Sequence, residues 1–534
     1  MRFLRTGLLI ALTLACGLQV EAARRTDPLP ERNLEGRSGA SPLIGRLELA
    51  WGDPGPAAKA AGVVDTEFRV TLVADDGGRH PIDPDRALRA ADDLYALFGK
   101  RVAVSTVPAA AKRAAAGAHA VDAAVVDAPV VDAPFVDAIV PIGDLSPSKA
   151  GEIAPKVAGV TVWATLMCKF SDIATEQKTR DFFLGQYGTA PGQLGHYWQE
   201  VSYGQINLTG SGAYGWATLP QPRSYYVTKD ANGKDKANLG QLFTDCVAAH
   251  DANVNFAANG GVQGINMMFN GDLDGYAWGG GQCAALDGVS KCWSTTWNPP
   301  WSFGNLAPLC HEMGHGYGLP HANNSDKDSD PYDNPWDNMS DTWNNGVANA
   351  TYGTLPKHIG MYSRDRLGWV VAARKRTLAV GSAIPSVAID RASLTGSQNV
   401  QMLVLNNPAV PSRYYVVEVR KRWGDYENKL AGDAVIIHSV DTSRGEPAWS
   451  VDADTPPANR ANNEGSMFKV GESWTAPDYS FRVTVNATTA EGFNVTVRRL
   501  PRKAPGQLLP ASDAPPVRQA PRLRDADLDA RDRR

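Results

Sequence analysis

Apolar and polar positions change their period several times along the chain, and each change marks a different kind of element. Near the start, "GRLELAWGD" and "EFRVTLVADDG" alternate and end in turn residues, which predicts two half-buried strands. "DPDRALRAADDLYALFG" switches to helical spacing with Asp83 or Asp85 near its start, and another strand follows before about residue 106. Residues 23–106 therefore read as a small β-rich unit, α+β or barrel-like. From 107 to 154 the pattern gives way to a Val-Asp-Ala repeat, with Asp122, Asp127, Asp132 and Asp137 five residues apart. That period fits neither helix nor strand, and prolines interrupt it. An expanded linker accounts for it better than a row of cation-binding carboxylates.

From 155 to 374 the segments mix. "VAGVTVWATLMCKF" and "INMMFNG" predict buried strands, and "QINLTGS" a shorter one. "TEQKTRDFFLGQY", "GQLGHYWQEVSYG" and "NLGQLFTDCVAAH" predict helices. Residues 275–304, rich in glycine and tryptophan, read as a long loop. Between 375 and 500, "QMLVLNN", "YYVVEVRKRW", "AVIIHSVD", "SFRVTVNATT" and "FNVTVRRL" are short, alternating and turn-bounded, the spacing of a β-sandwich-like domain. Residues 501–534, rich in proline, arginine and aspartate, read as a disordered tail. The expected fold class is α/β (α+β) in the centre, with β-rich units on either side.

Composition adds limits. The 534 residues suffice for two or three domains, and 43% hydrophobic with 21% charged residues is ordinary for a soluble globular protein. A formal charge of −4 gives no reason to expect nucleic acid or an anionic membrane as partner. Arg2 and Arg5 precede an apolar run from Leu8 to Val20, and small residues near Ala22 offer a cleavage point. This is the layout of a secretory signal over residues 1–22, too short to span a bilayer. The layout predicts a secreted, extracellular or periplasmic monomer without a membrane anchor. Cys16 fits a lipid-modified cysteine poorly.

Export favours disulfides. Without Cys16, five cysteines remain: Cys168, Cys246, Cys283, Cys292 and Cys310. An odd number leaves at least one outside any internal bridge. Cys283 and Cys292 flank a short segment containing Gly288 and are the candidate pair; the other three cannot be paired from sequence.

The strongest chemical signal is "CHEMGHGYGLPH", residues 310–321, which holds three of the nine histidines. Asn305 and Pro308 suit the start of a helix, with Leu309 and Met313 on its core face. His311 and His315 then project from one face a turn apart, able to hold one metal ion. Glu312 lies beside them, placed for a water rather than the metal. Gly316 and Gly318 allow the helix to stop and turn, Pro320 prevents its continuation, and His321 can return to the same ion. Three imidazoles leave a fourth position open, the arrangement of a catalytic zinc rather than a structural one.

The extended pattern at 311–321 resembles the metzincin zinc-binding consensus. The resemblance implies a metzincin-like catalytic domain, and places Met339 in "DNMSD" as the methionine that supports the metal site. "YDNPWDNMSDTW", "RDRLGW", "SYGQINLTGSGAYGW", "YYVVEVRKRW" and "GDAVIIHSVD" are similar to segments of gametolysin-type and immune-inhibitor-A-type secreted peptidases. Asp341 stands where some metzincins carry a tyrosine, so no tyrosine role transfers to that position. The implied activity is zinc-dependent endopeptidase cleavage of protein or peptide substrates, with Glu312 as general base. Two alternatives are a zinc-containing adhesin or carbohydrate-binding protein, and a zinc hydrolase of non-peptide amides or esters. Intact Glu312 argues against the first.

Other features stay secondary. Asp326, Asp328, Asp330 and Asp337, and "NGDLDGY", suggest calcium as a second cofactor; an EF-hand is excluded because Pro331 replaces its glycine. Trp278, Trp293, Trp297 and Trp301 suit a substrate cleft or simple packing equally. His196, His250, His358 and His438 read as structural. Residues 23–154 are expected to be a removable pro-region of a zymogen, the alternative being that the unit within 23–106 is a permanent accessory domain. No cysteine lies between Ala23 and Met167, so the blocking group must be something else, and a carboxylate such as Asp144 is the expected choice.

Overall fold

Strand β1, Leu43–Pro54, opens the largest sheet. The computed structural model describes residues 41–60, 66–107, 135–142, 157–258, 261–325, 330–378, 383–406, 410–453, 464–477 and 480–500. They are mixed α/β and mostly β. The expected signal peptide, the tail, Asp144, and Asp122, Asp127 and Asp132 of the repeat lie outside these residues.

The ten strands of this sheet are β1, β2 (Glu67–Ala74), β3 (Arg79–Ile82), β4 (Arg101–Val107), β5 (Phe135–Pro141), β6 (Trp163–Lys169), β7 (Gly212–Thr218), β8 (Gly264–Phe269), β9 (Tyr276–Leu286) and β10 (Val289–Asn298). Their order is β3-β2-β1-β9-β10-β8-β6-β7, with β4 paired to both β1 and β5. β10, β8, β6 and β7 run parallel to one another, and β9 is antiparallel to β10. A parallel core is normally covered on both faces, which explains why β6 and β8 are buried along almost their whole length.

The period of two along β6 divides those faces. Ala164, Leu166 and Cys168 pack with Leu242, Phe243, Cys246 and Val247 of helix Leu239–His250. Trp163 and Met167 face the opposite cluster, with Leu309 and Met313 of helix Leu306–Gly316. Disulfide Cys168–Cys246 ties β6 to the first of these helices. Helices Arg180–Gln186 and Leu194–Val201 contribute Phe183, Leu194, Tyr197 and Trp198 to the second face.

Two expectations change here. Residues 275–304 are largely the β9–β10 hairpin rather than a loop, and Trp278, Trp293 and Trp297 are buried within it. Cys283 and Cys292 face each other across its strands and form the expected disulfide. The end of the repeat segment, Phe135–Pro141, is likewise a strand, paired along β4.

Beyond the helices, two further sheets enclose one apolar core that includes Leu403, Val417, Ile437, Phe481 and Val495. The six-stranded one includes Arg413–Arg420, Ala434–Asp441 and Ala448–Ser450, and ends on the short strand Asn323–Asn324. A fully buried ionic cluster joins it to the middle of the molecule. Arg420 pairs with Glu427 and, at 3.3 Å, with Glu418. Glu418 also accepts from the Met361 backbone N–H at 2.7 Å. Burial alone would raise the Glu418 pKa, but His438 and Arg420 outweigh it and hold the pKa at about 2.

Candidate metal centre

Helix α1, Leu306–Gly316, carries the first two histidines and is buried along its whole length. Asn305 occupies its N-cap position without capping it; its side chain instead accepts from the Thr354 backbone N–H at 3.0 Å. The helix ends as expected, with Gly318 at φ +86°, a conformation that costs glycine little and other residues more. The chain then doubles back and brings His321 beside His315. The Ala322 backbone N–H donates to the Met339 carbonyl at 2.9 Å, pinning this return to the segment under the helix. Met339 is fully buried, and a Cβ at Gly314 would lie 2.4 Å from its Sδ.

The three imidazoles converge on one point. His315 Nε2 lies 3.0 Å from His311 Nε2 and 3.2 Å from His321 Nε2. Tetrahedral ligands each about 2.0–2.1 Å from an ion sit about 3.3 Å apart, close to both distances. Nδ1 of His311 faces the Asn338 carbonyl at 2.6 Å, and Nδ1 of His315 faces the Leu319 carbonyl at 2.7 Å. A carbonyl only accepts, so Nδ1 of each ring donates to it and each ring turns its Nε2 inward. Burial holds the His315 pKa down at about 3, which keeps that ring neutral. Ring nitrogens so close together repel unless a proton or a metal ion lies among them.

A fourth group completes the set, and it comes from the other end of the chain. Asp53, near the end of β1, puts Oδ1 2.8 Å from His321 Nε2 and 3.3 Å from His311 Nε2, and Oδ2 3.4 Å from His315 Nε2. One ligand atom from each of the four buried residues fits within 4.8 Å of the others, so together they could hold a metal ion. Register places Asp53 here: β1 pairs antiparallel with β9 from Ala50 opposite Gly280 to Pro54 opposite Tyr276. Two residues earlier, Trp51 stacks on His315, with ring centroids 4.7 Å apart and planes 9° apart.

Glu312 is 1% exposed, and neither carboxylate oxygen has a hydrogen-bond partner. Burial, then the charge of Asp53, pushes its pKa well above the usual carboxylate range. Burial would also raise Asp53, but His321 and His311 outweigh it and keep this carboxylate ionised. An orphaned carboxyl beside three converging imidazole nitrogens is the environment a divalent cation and a polarised water would satisfy. The residues present fit that group.

Sequence reasoning brought together His311, Glu312, His315, His321 and Met339, and the fold does the same. It missed Asp53, which lies 258 residues before His311. It also missed Tyr332, whose hydroxyl donates to Asp53 Oδ1 at 2.6 Å. No local signal marks either residue.

The acidic segment gives no support to calcium. Asp337 accepts from the Met339 and Gly360 backbone N–H groups, and Asp341 from those of Trp343 and Asn344. In "NGDLDGY", Asp274 accepts from Trp278 Nε1 and from the Ala237 backbone N–H. Asp326 and Asp328 lie outside the described residues. Among the described residues the Asp53–histidine group is the one cluster with metal-ligand spacing. The four histidines read as structural have partners within the fold: His196 meets Tyr426, His250 the Met167 carbonyl, His358 Glu200, and His438 Glu418. Cys310 is a buried free thiol. No described helix is long and apolar enough to cross a membrane.

Comparison with known proteins finds no matching protein-family model and no matching curated protein.

Proposed function

We propose that the chain is a secreted zinc-dependent endopeptidase of metzincin type, and that its N-terminal segment holds it latent. The carrying observation is the convergence of His311, His315 and His321 through Nε2 beside an orphaned, buried Glu312. The two disulfides are compatible with export.

Zinc, when bound, would polarise a water and the scissile carbonyl. His311, His315 and His321 would hold the ion, and the Asn338 and Leu319 carbonyls fix the rings of the first two. Glu312 takes the proton of the attacking water and passes it to the leaving amine. With a metal bound, the Asp53 carboxylate would take the place of the water beside the three imidazoles. β1 meanwhile covers the edge of β9, whose backbone groups would otherwise be free to pair with an extended peptide. The blocking carboxylate is thus read as Asp53 rather than Asp144.

Glu312→Ala should retain one zinc per chain and lose peptide cleavage by about 10²–10⁴-fold. His315→Ala should lose the metal as well. Metal analysis and turnover of a peptide library, with and without chelator, measure both. Undiminished cleavage by Glu312→Ala would exclude the mechanism.

A further inference from the structure

The geometry points to Tyr332 as a catalytic residue that donates a hydrogen bond to the oxyanion developing on the scissile carbonyl. This inference rests on the peptidase reading above. Its basis is the atom Tyr332 touches. Asp53 Oδ1 is the carboxylate oxygen nearest the point where the imidazoles meet, at 2.8 Å and 3.3 Å from two of them. It marks where an anionic oxygen sits in this site. The Tyr332 hydroxyl is 2.6 Å from that same atom. Once the N-terminal segment leaves, the phenol faces the position that a substrate's oxyanion would take.

Tyr332 is built into the site and cannot readily swing away. It is 3% exposed, and its ring meets His321 edge-on at 5.7 Å. Its backbone N–H donates to Asp330 Oδ1 at 2.9 Å. The Ser340 hydroxyl donates to the neighbouring Pro331 carbonyl and accepts from the Asn334 backbone N–H, which closes the loop onto the segment holding Met339. These contacts all come from residues 321–340. By contrast, Lys59, which lies 3.4 Å over the outer face of the ring, departs with the N-terminal segment. Tyr332 keeps its proton throughout; it only donates, and no bond is made or broken at the phenol. Preorganised donors aimed at such an oxygen are worth about 10²–10³ in turnover.

Two measurements on Tyr332→Phe test this. In the processed, secreted enzyme, kcat should fall about 100-fold with KM and zinc content nearly unchanged. In the full-length chain carrying Asp53→Ala and loaded with cobalt, acetate should bind in place of the missing carboxylate, read from the visible spectrum. Adding Tyr332→Phe should weaken acetate roughly 10-fold or more, the loss of a charge-assisted hydrogen bond. Unchanged kcat and unchanged acetate affinity, with Glu312→Ala still inactive, would overturn the role of Tyr332 and leave the peptidase standing. Unchanged kcat with raised activity of the unprocessed chain would also overturn it, because Tyr332 would then serve only to latch Asp53. Weaker acetate binding in a parent protein that cleaves no peptide would overturn the peptidase reading, and the oxyanion role with it.

Discussion

Position 279 sets how closely helix α1, with its candidate metal ligands, approaches the sheet. A Cβ there would lie 2.3 Å from the Glu312 backbone carbonyl and 2.8 Å from the His315 Cβ. The first of these atoms belongs to a buried helix and has nowhere to move. Gly279→Ala should therefore push α1 off β9, costing about 1–3 kcal/mol and weakening metal binding. Gly215→Ala, in an exposed part of β7 where nothing lies within 4 Å, should be close to neutral. Chemical denaturation and metal titration of the two variants check the contrast. Equal effects would mean that packing at Gly279 is not what positions Glu312.

At the scale of elements, the two disulfides differ in the loops they close. Cys168–Cys246 spans 78 residues and Cys283–Cys292 spans 9. Chain entropy alone gives about 4.5 kcal/mol for the first and about 2.6 kcal/mol for the second. Replacing both cysteines of the first pair by alanine should lower the denaturation midpoint more than the same change in the second, measured by urea unfolding. The reverse order would show that local hairpin pairing depends on its bridge. The elements also show what could be read from sequence. Helix α1 was legible because ligand spacing, terminating glycine and core face all repeat within one short stretch. The β9–β10 hairpin was not, because Gly279, Gly280 and Gly281 interrupt the alternation that marks a strand. Those glycines answer to neighbours far away in sequence: Glu312 for Gly279, Leu49 for Gly280 and Phe98 for Gly281. Asp53 was hidden for the same reason, since only the register of β1 on β9 brings it to the histidines. Tyr332 was hidden by its acidic setting, which suggests cation binding while the aspartates beyond it bond backbone N–H groups.

In the whole molecule, the metal site lies between structures contributed by both ends of the chain. The C-terminal six-stranded sheet reaches it through Asn323–Asn324, two residues past His321. The buried cluster of Arg420 and Glu418 reaches it through Met361, whose neighbour Gly360 bonds Asp337 below Met339. The N-terminal segment reaches it through β1, and two seams hold that segment in place. One joins β1 to β9, and the other joins β4 to β5, which lies on the far side of the expected linker cut. Cutting between residues 108 and 134 would therefore sever the covalent link while leaving both seams closed. If the chain is the latent peptidase proposed above, its activation should then show a lag: gels would record a clipped chain before any turnover appears. The delay would be independent of enzyme concentration, and mild denaturant would shorten it by helping the strands part. On the peptidase reading, a severed but silent chain could travel from its site of cleavage before it acts, with the strength of two strand pairings as its clock.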